Sequence, residues 1–389
     1  MIIVIGAGVI GTASALALAR AGHNVTLIDR DEPGRGCSFG NAGHIATEQG
    51  VPLASFDTIR QLPKMLLDRS GPLAIRPDVL PQLACGWGWR FLKAALPADY
   101  ARGSAVLGEM ADHAMADLRD ILAGTPAQLR LQERGHHLVW QHKRPDLPLE
   151  PWRDGAWPAL PEAVKGRIKG GMTYRETGHV TSPFQIVIGM RDAFLEQGGT
   201  LLRAEITAIE PGWTIRHAGG AIAAEQILIA TGVDAPQLLK PLGYEVPMIA
   251  ERGYHLAQFG KGDRLDRPIV FSERGFIVTP MEGELRATTT TEFSPRHAPP
   301  NPHRWALLRR HLQAVGLWEG GEVREWMGNR PTLPDYLPVI GRGREKGLFF
   351  AFGHQHLGLT LSGTTARLVR DMVSGSGEPP PELSIERFN

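Results

Sequence analysis

Three glycines and an acid carry the first recognisable chemistry of this chain. Gly6-Ala7-Gly8-Val9-Ile10-Gly11 has the G-x-G-x-x-G spacing of a pyrophosphate-binding turn, and Asp29 follows about twenty residues later. Gly6 permits the tight turn, Gly8 lets the backbone approach a pyrophosphate, and Gly11 lets helix and strand pack closely. A carboxylate at Asp29 can accept hydrogen bonds from a ribose diol. The stretch Ser38-Phe39-Gly40-Asn41-Ala42-Gly43-His44 is mostly small residues, which reads as backbone passing close to a large flat group; a surface loop is the plainer alternative. The histidines offer little metal chemistry: His136 and His137 are adjacent on an expected strand and so point to opposite faces. His354 and His356 lack a third ligand, and no metal is expected. Cys37 and Cys85 form neither a C-x-x-C pair nor a zinc spacing.

These residues need elements to hold them. Ile2 to Ile5 reads as a strand buried on both faces, Val9 to Arg20 as a helix closed by Gly22, and Val25 to Ile28 as a second strand, together a βαβ unit. Glu225 to Ala230 is another buried strand, and it delivers Thr231-Gly232 to its carboxyl end, where a dinucleotide would lie. Gly347 to Phe352 runs into Gly353-His354-Gln355-His356-Leu357-Gly358-Leu359-Thr360 and then a helix to about Val373, so a second helix N-terminus can face an electron-rich group. Residues 53 to 125 read as mostly helical, with Leu107, Met110, Ala114, Leu118, Ile121 and Leu122 on one side of a helix over 104 to 122. A bulky group there, Trp87, Trp89, Phe91 and Leu92 beside Arg90 and Lys93, reads as core, with a membrane or partner face as the alternative. Short strands and a proline-rich passage fill 129 to 180. Pro183 to Glu196 reads as a helix, Thr200 to Arg203 and Glu205 to Ile209 as strands, and Trp305 to Leu317 as a helix. Residues 246 to 293 read as antiparallel strands. Gly328-Asn329-Arg330-Pro331 reads as punctuation, and Ser374 to Pro381 as a mobile tail.

At 389 residues the chain suggests two interleaved domains, and 42% hydrophobic with 21% charged residues describes an ordinary globular protein. Lys plus Arg is 42 and Asp plus Glu is 41, without a basic cluster, so nucleic-acid binding has no support. No segment has the roughly 18 to 20 apolar residues that span a bilayer, and a strand begins at Ile2. A cytoplasmic protein is expected, with peripheral contact at the inner face of the membrane left open.

Four stretches, Gly6 to Gly11 with Asp29, Ser38 to His44, Arg330 to Gly341 and Gly353 to Thr360, resemble in order the D-amino-acid oxidase/dehydrogenase superfamily of FAD enzymes. The likeness is greatest to its D-amino-acid dehydrogenase-like and glycine-oxidase-like branch. It extends from Met1 to about Val373, and S-x-x-N-A-G and R-P-x-x-P-D-x-x-P-x-I-G are its most specific elements. The resemblance implies an α/β plus α+β fold: a Rossmann-type FAD-binding domain and a substrate domain on a mixed or antiparallel sheet. The former would comprise 1–50, 183–240 and 325–375, the latter 51–182 and 241–324, with 376–389 as tail. It further implies that Gly6, Gly8, Gly11, Asp29 and Arg30 hold the ADP half of FAD. Ser38, Asn41, Ala42 and Gly43 would line the ribityl chain and flavin, Ile206 would meet the adenine, and Thr231 and Gly232 the pyrophosphate. Gly353 opens the last turn, and Gly358, Leu359 and Thr360 would aim N–H groups at the flavin O2 edge. Arg330 would clamp a substrate carboxylate, with Tyr254 and His44 near the substrate. Neither cysteine occupies the position used for covalent attachment, so non-covalent FAD is favoured.

The activity so implied is oxidation of a D-amino or cyclic imino acid to the imine, by hydride transfer from Cα to flavin N5, with D-proline or 4-hydroxy-D-proline as leading substrates. Electrons would pass to a quinone or a partner protein. A sarcosine- or glycine-type oxidase using oxygen is the nearest alternative. An FAD monooxygenase and a non-catalytic flavin-binding subunit are the alternatives from other classes.

Overall fold

Every residue of the Ile2–Ile5 strand is buried, because it lies at the inside of a six-stranded sheet. The computed structural model of the chain describes residues 1–389 apart from 69, 70, 72, 148 and 154–156, and the backbone alone at 289 and 290. Parts of the helical reading over 53–125 and of the proline-rich passage before Pro161 therefore lie outside the described residues. The sheet order is Val339–Arg342, Leu348–Phe352, Gln226–Ile229, Ile2–Ile5, Val25–Asp29, Thr200–Arg203. All neighbours are parallel except the first pair. Alternate residues serve two cores, as a period of two demands. Ile2 and Val4 pack with the helices Val9–Arg20, Pro97–Leu122, Pro183–Glu196 and Ser362–Ser374. Ile3 and Ile5 pack on the other face with Ile209, Trp213, Leu239 and Tyr244. Each such buried side chain contributes about 1.5–3 kcal/mol, which is why an unbroken aliphatic run forms this strand.

A second, eight-stranded sheet is mixed. Its order is Val323–Thr332, Ile249–Phe259, Glu284–Phe293, Phe276–Met281, Ile269–Phe271, His136–Trp140, Gly170–Tyr174, with Leu73–Ile75 paired to Glu284–Phe293. Most pairs are antiparallel, while Ile269–Phe271 runs parallel to His136–Trp140 and Leu73–Ile75 parallel to Glu284–Phe293. A small sheet of His44–Ile45, Gly178–Val180 and Leu131–Gln132 joins the glycine-rich segment to this half.

Three expectations are corrected. Gly328-Asn329-Arg330-Pro331 is not a turn: it lies within the strand Val323–Thr332, paired residue by residue with Ile249–Phe259. Pro331 is tolerated because this is an edge strand. The packing also divides the chain differently from breaks at 51 and 325. The helix Pro97–Leu122 packs in the core of the six-stranded sheet, and residues 325–332 belong to the eight-stranded one. Finally, the end of the 376–389 tail, beyond the Ser374 to Pro381 stretch read as mobile, is packed. Leu383 and Ile385 are fully buried, and Arg387 pairs with Asp335 at 2.6 Å.

Among exposed large hydrophobic side chains, all but Leu129 and Leu195 lie between Val51 and Leu96. The helix Phe56–Leu67 within that segment has no buried residue. No helix among the described residues is long and apolar enough to cross a membrane.

Candidate active site and its cofactor cleft

The five parallel strands of the six-stranded sheet end along one cleft of about 430 Å³. Taken in sheet order, the segments that follow these strands supply Gly353, then Thr231 and Gly232, then Gly6 and Gly8, then Asp29 and Arg30, then Ile206. Ser38, Asn41, Gly358 and Leu359 complete the predicted wall. Close packing explains the glycines. At Gly6, φ is +103° and a Cβ would lie 2.5 Å from the Ala230 carbonyl oxygen; at Gly11 it would lie 1.8 Å from the Gly6 oxygen. Gly11 therefore shapes the turn from behind and does not line the cleft. The Asp29 carboxylate accepts the Ala7 N–H at 2.6 Å and the Asp31 N–H at 2.9 Å, fixing the turn it faces. Ser38 Oγ accepts the Val9 N–H at 3.0 Å, at the start of the first helix.

The remaining predicted cofactor residues act at one remove. Gly43, at φ +71°, makes a turn in which a Cβ would meet Met281 and the Val180 carbonyl oxygen at 2.7 Å. Thr360 is buried, and its Oγ1 accepts the Ala46 N–H at 3.0 Å. Ala42 lines the neighbouring cavity. Sequence reasoning missed Arg296, which reaches the cleft from beyond the eight-stranded sheet and shares Asp234 with Arg30. Arg30 also pairs with Asp31 at 3.5 Å, so this cluster brings two guanidinium groups to the cleft within a ring of acids. Two cleft-lining atoms, Thr231 Oγ1 and Gln355 Oε1, are buried without a protein partner. Such orphaned atoms, the bare glycine backbone and the open helix N-terminus fit a dinucleotide.

A second cavity of about 1060 Å³ adjoins the first, and Cys37, Asn41, Trp326, Gly328 and Gln355 line both. Arg330 lies on its wall. Strand pairing sets Arg330 opposite Glu251, whose Oε1 accepts from Nη1 at 2.9 Å. The guanidinium lies over the backbone of Gly253, where a Cβ would come within 2.4 Å of Nη2. Glu251 is buried and also accepts the hydroxyls of Thr291 and Thr332, each at 2.9 Å. Burial raises the Glu251 carboxyl, but Arg330, His356 and the two hydroxyls outweigh it and hold it below its ordinary value.

His44 lines the same cavity, with Nε2 at 3.0 Å from Glu48 Oε1. Tyr254 does not. Its neighbour Gly253 faces the cavity, so strand alternation turns Tyr254 to the opposite face. There its hydroxyl donates to Glu292 at 2.5 Å and accepts the Asn301 N–H at 3.1 Å, and the ring packs on Trp305. The tyrosine on the cavity is Tyr336, inside the Arg330-to-Gly341 motif, with its phenol pushed up by burial and by Glu251. Tyr336 and Gln355 both adopt left-handed backbone, at φ 57° and 47°, and the Gln355 amide donates to the Tyr336 carbonyl. Non-glycine residues in that region concentrate at functional sites. His356 bonds Gln49 at 2.8 Å, and His354 bonds Thr365 at 2.9 Å. Burial drives the Cys37 thiol up to about 11, so it is an inert wall residue.

Met65, Leu73, Trp87, Phe91, Phe276 and Phe293 give the second cavity a large apolar wall, with His44, Gln49, Asp57 and Gln61 among its polar lining.

Comparison with known proteins agrees with this geometry. A family model described as FAD dependent oxidoreductase (DAO) matches residues 1–372. A D-amino-acid oxidase of Bradyrhizobium diazoefficiens is 30% identical, over 99% of this chain and 97% of its own. A D-amino acid dehydrogenase of Rhizobium johnstonii is 31% identical, over 100% of this chain and 99% of its own. Among solved structures, glycine oxidase from Geobacillus kaustophilus superposes with a TM-score of 0.71 at 21% identity, covering 100% of this chain and 98% of that one. L-proline dehydrogenase from P. horikoshii superposes with the same TM-score, 0.71, at 16% identity. With its glycine-turned cleft and a family match over residues 1–372, this chain belongs to the DAO family of FAD-dependent oxidoreductases.

Proposed function

We propose that the chain oxidises the Cα–N bond of a D-amino acid to the imine, which then hydrolyses in water. The observation that carries this is the Arg330–Glu251 pair on the wall of the second cavity, on the same strand as Gly328, which lines both cavities. FAD, when bound, accepts the electron pair that leaves with the Cα hydrogen. The protein's own part is positioning. A guanidinium seated on Gly253 and held by Glu251 offers planar, charge-assisted bonds to a carboxylate, which fixes the attached Cα. The ammonium gives its proton to solvent water before the substrate is enclosed, so that the nitrogen lone pair can form the C=N bond as hydride departs from Cα. Apolar walls exclude water from that step.

Both D-proline and 4-hydroxy-D-proline remain within this chemistry, but a cavity walled by Trp87, Phe91, Phe276 and Phe293 fits a bulky apolar side chain better. The electron acceptor we infer is a membrane quinone. The exposed apolar segment between Val51 and Leu96 is also the roof of the substrate cavity, since Leu53, Trp89 and Leu92 are exposed and line it. Arg60, Lys64 and Lys93 are exposed on the same segment, a composition suited to an anionic bilayer surface.

Anaerobic visible absorbance of the holoenzyme, titrated with D-, L- and N-alkyl amino acids, tests the reading. Bleaching by D-amino acids with apolar side chains is expected, and readmitted air should recolour the protein only slowly. Arg330→Leu should retain FAD and lose kcat/KM roughly a hundredfold or more, since each charge-assisted bond contributes about 1.5–3 kcal/mol. Turnover near wild type in that variant would overturn the carboxylate assignment.

A further inference from the structure

Outside the redox chemistry, the molecule carries a buried cluster that no step uses. His44, Glu48 and His136 bring three ligand atoms within 4.8 Å of one another. They come from separate places: His44 and Glu48 from the segment after the Asn41-Ala42-Gly43 turn, His136 from a strand of the large sheet. His44 Nε2 lies 3.0 Å and His136 Nε2 4.0 Å from the same oxygen, Glu48 Oε1.

Three further observations distinguish this from an ordinary hydrogen-bonded trio. Glu48 Oε2 is buried without a partner, and so is His44 Nδ1, on a side chain only 8% exposed. Among the described residues the ion pairs of Glu48 are with these two histidines, and with neither lysine nor arginine. A carboxylate so enclosed needs a counter-charge, which is either a proton on a ring or a bound cation. The His136 ring is also oriented from behind. Its Nδ1 bonds Thr177 Oγ1 at 2.8 Å, and its face stacks on Tyr174 at 4.7 Å. That outer contact leaves Nε2 turned to Glu48, as second-layer partners orient metal-binding histidines.

We propose that His44, Glu48 and His136 form a binding site for one divalent transition-metal ion of the zinc class, with an open fourth position. Ions of this class take nitrogen and carboxylate ligands at about 2.0–2.2 Å in a tetrahedral arrangement, which spaces the ligand atoms about 3.3–3.5 Å apart. His44 and Glu48 are already near that spacing, and His136, 4.0 Å from Glu48 Oε1, needs to approach it by roughly 0.6 Å. Two nitrogens and one carboxylate oxygen suit zinc rather than calcium or magnesium, which prefer all-oxygen sites. A bound ion would tie the segment behind the cofactor cleft to the large sheet and fix His44 on the wall of the substrate cavity.

The test is calorimetric titration of Zn²⁺ into holoenzyme stripped of metal by a chelator, with visible absorbance confirming that FAD stays bound. One Zn²⁺ per chain is expected, at micromolar affinity or tighter, with no comparable binding of Ca²⁺. Glu48→Gln and His136→Asn should each weaken Zn²⁺ binding a hundredfold or more. His137→Asn should not, because that ring faces Trp152 and Thr173 instead. Glu48→Gln keeps side-chain volume and can still bond His44, so it decides the matter if His136→Asn misfolds. Absence of saturable Zn²⁺ binding in the wild type, or unchanged affinity in Glu48→Gln, would overturn the proposal.

Discussion

Arg330 is useful only because of what its neighbours lack and supply. Gly253 supplies bare backbone, Glu251 supplies a fixed acceptor, and two threonine hydroxyls keep that acceptor charged. Gly253→Ala would put a methyl group 2.4 Å from Nη2, and the guanidinium must then tilt away. The expected result is a KM raised tenfold or more with FAD content unchanged, read by steady-state kinetics; an unchanged KM would mean the arginine does not need that seat. Arg330 itself was legible as part of a sequence motif. Its support was not. Glu251 stands 79 positions away and meets Arg330 only through strand register, which pattern reasoning does not fix. Tyr254 misled for a related reason: one step along a strand exchanges cavity for core.

At the scale of elements, the opening βαβ unit was readable because its signals are local: an aliphatic run, a helical period, a terminal glycine. The edge strand Val323–Thr332 was not, since Gly328, Asn329 and Pro331 carry turn chemistry that long pairing with Ile249–Phe259 overrides. Trp87, Trp89, Phe91 and Leu92 read from sequence as core, with a membrane or partner face as the alternative; Trp87 and Phe91 are buried, whereas Trp89 and Leu92 join an exposed apolar surface. Trp89 is 66% exposed while also lining the substrate cavity. If this surface meets a bilayer, wild-type protein should co-sediment with anionic vesicles, less so in high salt. The Trp89→Ser/Leu92→Ser double variant should lose at least tenfold in partitioning, whereas Leu129→Ser, remote in sequence, should not. Equal sedimentation of both variants would remove the lipid-facing role.

For the molecule as a whole, acid should be the harmful direction. Burial, the largest cause in each case, lowers His136 to about 3, His179 to about 4 and His354 to about 3. In the unfolded chain a histidine titrates near 6.5. Between those values the unfolded state binds more protons, so stability rises with pH through this window and falls on acidification. For His354, which is 2% exposed, the loss between pH 6.5 and pH 5 is about 2 kcal/mol. Urea midpoints should therefore drop between pH 7.5 and 5.0, and less steeply in His354→Asn, which can keep the bond to Thr365. A flat profile in the wild type would refute this account.

The cofactor cleft also has a history in time. Its floor is laid by residues made first, at Gly6 and Gly8, but its other walls are Thr231, Gly232, Gly353 and Gly358. The central strand Ile2–Ile5 has its neighbour Gln226–Ile229 more than half a chain away, and Leu348–Phe352 beyond that. During synthesis the nucleotide fingerprint thus emerges long before anything it can close upon. The opening strand stays unpaired on one side until Gln226–Ile229 has been made. A flavin can then be fully enclosed only after Gln226–Ile229 and Leu348–Phe352 have joined the opening strand, although its fingerprint stands at Gly6 to Gly11.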